Sequence, residues 1–193
     1  SEFDNAKELL ERNLNDASTD KSEAYYYLGC VALESGNTAA AKEYFEKGKS
    51  AGSCQLNLVG LGILDLKAGN AKEAKAKFDL AVKNSPKKDA KILVAIARAY
   101  YTVDGVKYAK EIGDFIKKAR KNNKTESATP ILEGDMAAAE ANTGDAQGMY
   151  DEAISYDPTN SEPYVKYARA LFKVNPQQAI SRLQDLLAQN PTS

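Results

Sequence analysis

The feature that most constrains this chain is a helical pattern that recurs after 33 residues (61 minus 28). Four positions of one segment reappear in the same order in the next. The matching pairs are Leu28 and Leu61, Gly36 and Gly69, Ala41 and Ala74, and Phe45 and Phe78. Four matches in one register indicate a repeated structural unit, because self-similarity at a period of roughly 20–50 residues is the mark of repeat architectures.

Residues 58–86 show what this unit is. In order, the segment carries Leu58-x-x-Leu61-Gly62, Gly69-Asn70, Ala74-x-x-x-Phe78-x-x-Ala81 and Pro86. Apolar residues spaced by three and four predict amphipathic helices. A Gly-Asn pair predicts a turn, and a proline ends a helix. The unit is therefore predicted to be two short helices folded back on each other.

This combination of Leu-Gly, Ala-x-x-x-Phe and a closing proline resembles the tetratricopeptide repeat (TPR) family, in its bacterial type. The resemblance implies an all-α fold, a right-handed α-α superhelix (solenoid) of TPR-like helical hairpins. It also implies that the first helix of each hairpin lines a concave groove, and that the protein is an interaction scaffold binding a peptide segment or helix there.

The pattern predicts a single TPR-like array over residues 1–193. Residues 1–20 form either a half repeat or a leading capping helix, and both possibilities stay open. The five repeats that follow are predicted at 22–53, 55–88, 90–125, 127–160 and 161–193. Ser22 is expected to cap the first helix of the first repeat, and Gly144-Asp145 to form the turn of the fourth.

The third repeat, residues 90–125, allows two registers for its second helix. If Ala109 opens the Ala-x-x-x-Phe pattern, Gly113 falls where the aromatic residue belongs. If Ile112 opens it, Ile116 and Ala119 fit and the preceding turn is longer. The number of residues from Pro86 to Pro158 exceeds the length of two repeats by about one helical turn. Longer helices are therefore also expected in this repeat.

The composition argues against chemistry in this chain. It has no histidine, the commonest general base and a common metal ligand. It has no phosphate-binding loop and no Cys-x-x-Cys pair. We therefore predict no enzyme activity, no catalytic residue, no metal and no cofactor. The two cysteines, Cys30 and Cys54, are expected to be free, because their predicted separation of about 13 Å is too long for a disulfide.

The charges are unevenly distributed. Residues 83–124 hold twelve Lys or Arg against four Asp or Glu. The dense run at 117–124 is either a solvated helix end, whose cations suit the helix dipole, or a docking site for an acidic protein. Nucleic acid is not an expected partner, because no stacking aromatics interleave with the run. Membrane insertion is not expected either, since no apolar run approaches about 20 residues.

The candidate binding residues are those that, by the resemblance to the TPR family, should face the groove. Many are apolar, and a contiguous apolar surface marks a binding site unless the residues bury one another. The set is Tyr26, Cys30, Val59, Ile63, Val94, Arg98, Tyr101, Ile131, Asp135, Val165, Arg169 and Phe172. The two arginines are expected to orient a partner through forked pairs with carboxylates.

Two other functions stay open at this stage. The chain is alternatively the helical-repeat scaffold of a nutrient-binding cell-envelope protein, although it has no Trp for a sugar platform. It is alternatively a self-assembly module that associates end to end, because Leu183 and Leu187 are predicted to lie at an uncovered end. The general resemblance favours a bacterial periplasmic or cell-envelope location over the cytoplasm.

Overall fold

The structure, a computed structural model, describes residues 2–16, 18–172 and 174–189, without the side chains of Glu2 and Phe3. The predicted closing proline at Pro191 lies outside these residues. Within them the chain forms eleven α-helices and no strand. The helices are α1 (Glu2–Asn13), α2 (Lys21–Glu34), α3 (Thr38–Ala51), α4 (Leu56–Lys67), α5 (Ala71–Asn84), α6 (Ala90–Asp104), α7 (Ala109–Asn122), α8 (Ala128–Ala139), α9 (Thr143–Tyr156), α10 (Ser161–Leu171) and α11 (Pro176–Gln189).

The chain divides into two compact units, Ser1–Phe115 and Ile116–Ser193. In the first unit, α2 packs against α3 and α4 against α5 as antiparallel pairs, and α4 also contacts α3 and α6. In the second unit, α8 packs against α9, and α10 packs against both α9 and α11. These helices bury one face on their neighbours, which is how short helices of this length become stable.

The first unit is held together by aromatic rings seated on glycines. The ring of Phe45 covers Gly29 and Gly60, so closely that an added Cβ at either would lie 2.3 or 2.5 Å from the ring. The ring of Phe78 covers Gly62 in the same way. Both phenylalanines are fully buried. Glycine at these three positions allows the close approach of the neighbouring ring.

The turns inside the first two hairpins use glycine for its backbone freedom. Gly36 and Gly69 have φ values of 81° and 82°, the left-handed region that side chains disfavour. The asparagine that follows begins the next helix in each case, and the Asn37 side chain accepts a hydrogen bond from the Ala40 amide at 3.0 Å. The Gly-Asn pairs therefore end one helix and begin the next.

The structure corrects two local predictions. The cap of α2 is Asp20, whose carboxylate accepts hydrogen bonds from the amides of Ser22 and Glu23, so Ser22 lies inside the helix. The turn of the fourth hairpin is centred on Ala141, with φ 58°, and Gly144 and the residue after it lie in the first turn of α9. Position 141 takes the left-handed conformation without being glycine, so no residue type marked the turn there.

In α7 the structure selects the register opened by Ile112. Ile112 and Ala119 are buried, whereas Gly113 is exposed. The preceding turn covers Gly105 to Tyr108. The extra length expected around this hairpin appears in α6, which has 15 residues against 12 in α4.

The second unit repeats the ring-on-glycine contact with a tyrosine. Tyr150 of α9 is buried against Gly134 of α8, where an added Cβ would lie 2.6 Å from the ring. A core cluster joins Tyr150 to buried residues of α10 and α11. Its other members are Ala146, Tyr167, Ala168, Leu171 and Ala179. The core thus follows the helix pairs rather than gathering at one centre.

Candidate functional site

The predicted binding residues lie on the first helices of the hairpins, α2, α4, α6, α8 and α10, or directly after them, but they differ in accessibility. Seven are half-buried and therefore present part of their side chains to solvent: Tyr26, Cys30, Ile63, Arg98, Tyr101, Asp135 and Val165. Two are exposed, Arg169 and Phe172. The half-buried residues on α2, α4 and α6 of the first unit are both accessible and held in place by packing.

Three of the predicted residues are not available for contact. Val59, Val94 and Ile131 are only 1%, 3% and 2% exposed. In the described structure neighbouring helices cover these positions, so these three side chains contribute to packing beneath the face and we leave them out of the contact set.

At the α2 end of the first unit, Tyr26 and Cys30 form the accessible edge of a core cluster. Both pack against the cluster that contains Phe45, and the rings of Tyr26 and Phe45 have centroids 6.1 Å apart. Burial raises the pKa of the Tyr26 hydroxyl, and it raises the pKa of the Cys30 thiol to about 11. Both groups are therefore neutral at physiological pH, and this edge of the face is apolar in character.

Both cysteines of the chain are free thiols, and neither environment activates them. Burial also raises the pKa of Cys54, which lies just before α4. A reactive cysteine needs the opposite shift, since the thiolate is the nucleophile. The thiols therefore act here as small apolar side chains.

On the second unit, the acidic residue of the predicted face is already paired. Asp135 of α8 accepts hydrogen bonds from the Lys166 ammonium at 2.7 and 2.8 Å and from the Tyr150 hydroxyl at 3.0 Å. The pair ties α8 to α10, and Asp135 is half-buried. Sequence reasoning placed Asp135 on the face, but its partner Lys166 lies 31 residues away and could only be found from the structure.

The basic run at 117–124 is not uniformly free. Arg120 forms ion pairs with Glu133 of α8 and, at 2.8 Å, with Glu152 of α9. The hydrogen bond to Arg120 lowers the pKa of Glu152. Lys117, Lys118 and the other lysines of the run remain exposed. Arg120, which the sequence placed in a basic surface, therefore joins three helices through its ion pairs.

Sequence reasoning also missed a buried polar cluster in the first unit. The Asn57 side-chain amide donates hydrogen bonds to the Ser22 carbonyl at 2.9 Å and the Cys54 carbonyl at 3.1 Å. The Ser22 hydroxyl donates to the Gly48 carbonyl at 2.7 Å. Asn57 and Ser22 are fully buried. The only sign of this cluster in the sequence was a polar residue, Asn57, within the apolar pattern of α4. The cluster holds three helices together and does not bind a ligand.

The described residues contain no group of three or more His, Cys, Asp or Glu side chains that could hold a metal ion. Within the same residues, no helix has both the length and the apolar character needed to cross a bilayer.

The comparisons with known proteins agree with this arrangement. Residues 23–47, which include most of α2 and the first ten residues of α3, match the family model of the tetratricopeptide repeat. The chain is similar to the tetratricopeptide repeat family over these residues. No curated protein sequence matches the chain.

Several solved structures are similar over most of the chain. The TPR protein TTC0263 of Thermus thermophilus has a TM-score of 0.59 at 18% identity, covering 89% of this chain and 93% of that one. A chain of the APC/C hetero-tetramer Cut9–Hcn1 has a TM-score of 0.53 at 13% identity, covering 98% of this chain and 37% of that one. The pilF protein of Pseudomonas aeruginosa has a TM-score of 0.50 at 18% identity, covering 98% and 78%.

Identities this low show the fold alone. The predicted fold class, all-α with TPR-like helical hairpins, is confirmed by the described helices together with these matches. A helical repeat scaffold of this kind is suited to protein–protein interaction.

Proposed function

We propose that the protein binds a peptide segment or helix of another protein on the face formed by the first helices α2, α4 and α6. The observation that carries the proposal is the set of half-buried side chains on these three helices. The set is Tyr26, Cys30, Ile63, Arg98 and Tyr101. It is mostly apolar or aromatic, with one cation. Tyrosine and arginine are among the side chains that most often dominate binding energy at protein interfaces.

The packing beneath this face favours rigid binding. Val59 and Val94 are buried on the same helices as the accessible positions of α4 and α6. Buried side chains of this kind hold the helices in one arrangement, because protein interiors are close-packed. A partner that binds a rigid surface loses less conformational entropy in the complex than one that must order it first.

Arginine gives the face a means of orienting its partner. A planar guanidinium can present two parallel N–H donors to a carboxylate, and Arg98, which also has an interaction within the chain, is the guanidinium of this face. On the second unit, Arg169 and Phe172 are exposed and offer a cation and an aromatic ring on their own surface. Asp135 does not take part as a free acid, since Lys166 already neutralises it.

The structural relatives support an interaction role of this type. The matched chain of the Cut9–Hcn1 hetero-tetramer shares the fold and works within a protein complex. We assign to the present chain only the class of partner, a protein or peptide, and no cofactor.

A site-specific photocrosslinking experiment tests the face. A benzophenone amino acid is introduced at Ile63 or Tyr101, and in control variants at Ala76 or Leu80, two exposed positions of the second helix α5. We expect a discrete crosslinked protein from the native source at the first two positions only. The substitution Arg98→Glu should abolish that product while leaving the helix content measured by circular dichroism unchanged.

Two results would contradict the proposal. One is capture of the same partner with equal yield at Ala76 or Leu80. The other is a crosslinked product at Tyr101 that survives Arg98→Glu without loss. In either case the partner is recognised by another part of the surface.

Self-association is a second candidate, favoured by one observation on α11. Leu183 is at the position that Phe45 and Phe78 occupy in their helices, and those two are buried. Leu183 is instead 39% exposed, and Ile180 and Leu187 beside it are 45% and 57% exposed. Light scattering compares the chain with a Leu183→Lys/Leu187→Lys variant. A concentration-dependent mass that the variant loses supports self-association, and a monomer at all concentrations refutes it.

A further inference from the structure

A cavity of about 650 Å³ lies outside the face described above, in the first unit. It is lined by the second helix of one hairpin, α3, and by both helices of the next, α4 and α5. Its apolar wall includes Ala39, Leu61, Leu64 and Ala68, and its rim includes Lys42 and Lys67. Ligand sites of proteins have volumes of roughly 300–1,000 Å³ and mostly apolar walls. The cavity therefore has room for one or two large side chains.

The apolar wall of the cavity and the proposed binding face use different sides of α4. An α-helix turns by about 100° per residue, so residues 61, 64 and 68 lie within about 60° of one another. The accessible groove position of the same helix, Ile63, lies about 130° from the centre of that group. A ligand in the cavity is therefore recognised independently of a partner on the first-helix face.

The charges at the rim are not balanced. Both acidic groups of the lining are already paired: Asp65 with Lys77, and Glu46 with Lys49. Lys42 and Lys67 are exposed, and neither has a carboxylate partner among the residues that the structure describes. Two unneutralised cations thus stand at the edge of an apolar wall.

We propose that this cavity is a second binding site, which takes an acidic peptide segment by burying one large apolar side chain against Leu61 and Leu64. Carboxylates next to that side chain in the peptide pair with Lys42 and Lys67. The apolar wall supplies burial and the two ammonium groups supply selection for acidic sequences. Complementary charges at the rim of an interface mainly govern specificity and association rate.

The test begins with a selection on the folded full-length chain. Random short peptides displayed on phage are selected at low salt, where exposed charges are least screened. Enriched sequences are synthesised with a fluorescent label and titrated by fluorescence polarisation. We expect enriched peptides to combine a Leu, Ile, Met or Phe with neighbouring Asp or Glu, and to shift the amide NMR signals of Leu61 and Leu64.

Matched variants separate the cavity from general charge. Lys42→Glu/Lys67→Glu should weaken binding by about tenfold, since each exposed ion pair contributes a few-fold. The control Lys72→Glu/Lys83→Glu makes the same change of net charge at exposed lysines of α5 outside the lining, and should change affinity by less than about twofold. Ala39→Trp should block binding by filling the cavity.

The proposal is overturned if no peptide is enriched, if the enriched peptides lack carboxylates, or if the two double variants weaken binding equally. It is also overturned if Ala39→Trp leaves affinity unchanged. Displacement of the peptides by octanoate at comparable concentration would instead assign the cavity to small amphipathic acids. Circular dichroism of each variant confirms that lost binding is not lost folding.

Discussion

The contact between Gly62 and Phe78 gives the sharpest test of the packing. A methyl group added at Gly62 would lie 2.3 Å from a ring carbon of Phe78. The ring has little freedom to move aside, because the ring of Tyr100 meets it edge-on with centroids 5.2 Å apart. The substitution Gly62→Ala therefore has two opposite effects on stability. It raises helix propensity, and it introduces a steric clash.

These magnitudes predict that the effect of Gly62→Ala on stability has opposite signs in the presence and absence of the Phe78 ring. Alanine in place of glycine favours a helix by about 1 kcal/mol, while overpacking a core costs about 1–3 kcal/mol. Gly62→Ala should therefore lower the free energy of unfolding by up to about 2 kcal/mol. Phe78→Ala alone should cost about 3–5 kcal/mol. In the Phe78→Ala background the clash is absent, so Gly62→Ala should raise the free energy of unfolding by about 1 kcal/mol.

Urea unfolding followed by circular dichroism measures the stability of four proteins: the unaltered chain, Gly62→Ala, Phe78→Ala and the double variant. Phe78→Leu provides a milder background if Phe78→Ala is too unstable to titrate. Gly113→Ala is the control, because apart from its chain neighbours and the backbone of its own helix no atom lies within 4 Å of the Cβ that it would add, and it should stabilise the chain in every background. The packing argument is refuted if Gly62→Ala has the same sign and size with and without the Phe78 ring.

Three further predictions concern features that the sequence did not reveal. Asn57→Ala should lower the free energy of unfolding by about 1 kcal/mol, since it removes the side-chain hydrogen bonds to the carbonyls of Ser22 and Cys54; a urea titration that shows no loss would contradict this. Ala141→Gly should raise the unfolding midpoint, because relieving φ 58° at a non-glycine residue is worth about 1 kcal/mol; an unchanged or lower midpoint in urea would show that the turn is not strained. The hydrogen bond to Arg120 lowers the folded-state pKa of Glu152, so its stabilisation is complete above the unfolded pKa of about 4.3 and is lost as the pH falls through the folded value. Glu152→Gln should therefore flatten stability against pH below about 4.3, and parallel curves for the two proteins would refute the assignment.

The local part of the fold was predictable because it depends on residues close in sequence. Helical spacing of large and small apolar residues indicated the hairpins, and the Gly-Asn pairs indicated their turns. Where the local signal was absent, prediction failed: the turn at Ala141 carries an ordinary residue, so it was placed three positions too late.

The candidate binding face was only partly predictable, because accessibility depends on what packs over a residue. Helix periodicity identifies which side of a helix a residue occupies, but Val59, Val94 and Ile131 are covered by elements that the period does not describe. The role of Asp135 was also not predictable from the helix period, since its charge is neutralised by a lysine of another hairpin. These contacts join residues distant in sequence, and no local pattern encodes them.

The sequence by itself determined the type of object, a chain of helical hairpins, since a period of 33 residues (61 minus 28) and the spacing of small and large side chains are properties of the local chain. The tertiary structure alone decided which polar and charged groups hold helices together, at Asn57, Arg120 and Asp135, and which cations lie exposed beside an apolar wall, at Lys42 and Lys67. The physical reason is that a charge or hydrogen-bonding group acquires its role from the partner that packing brings to it.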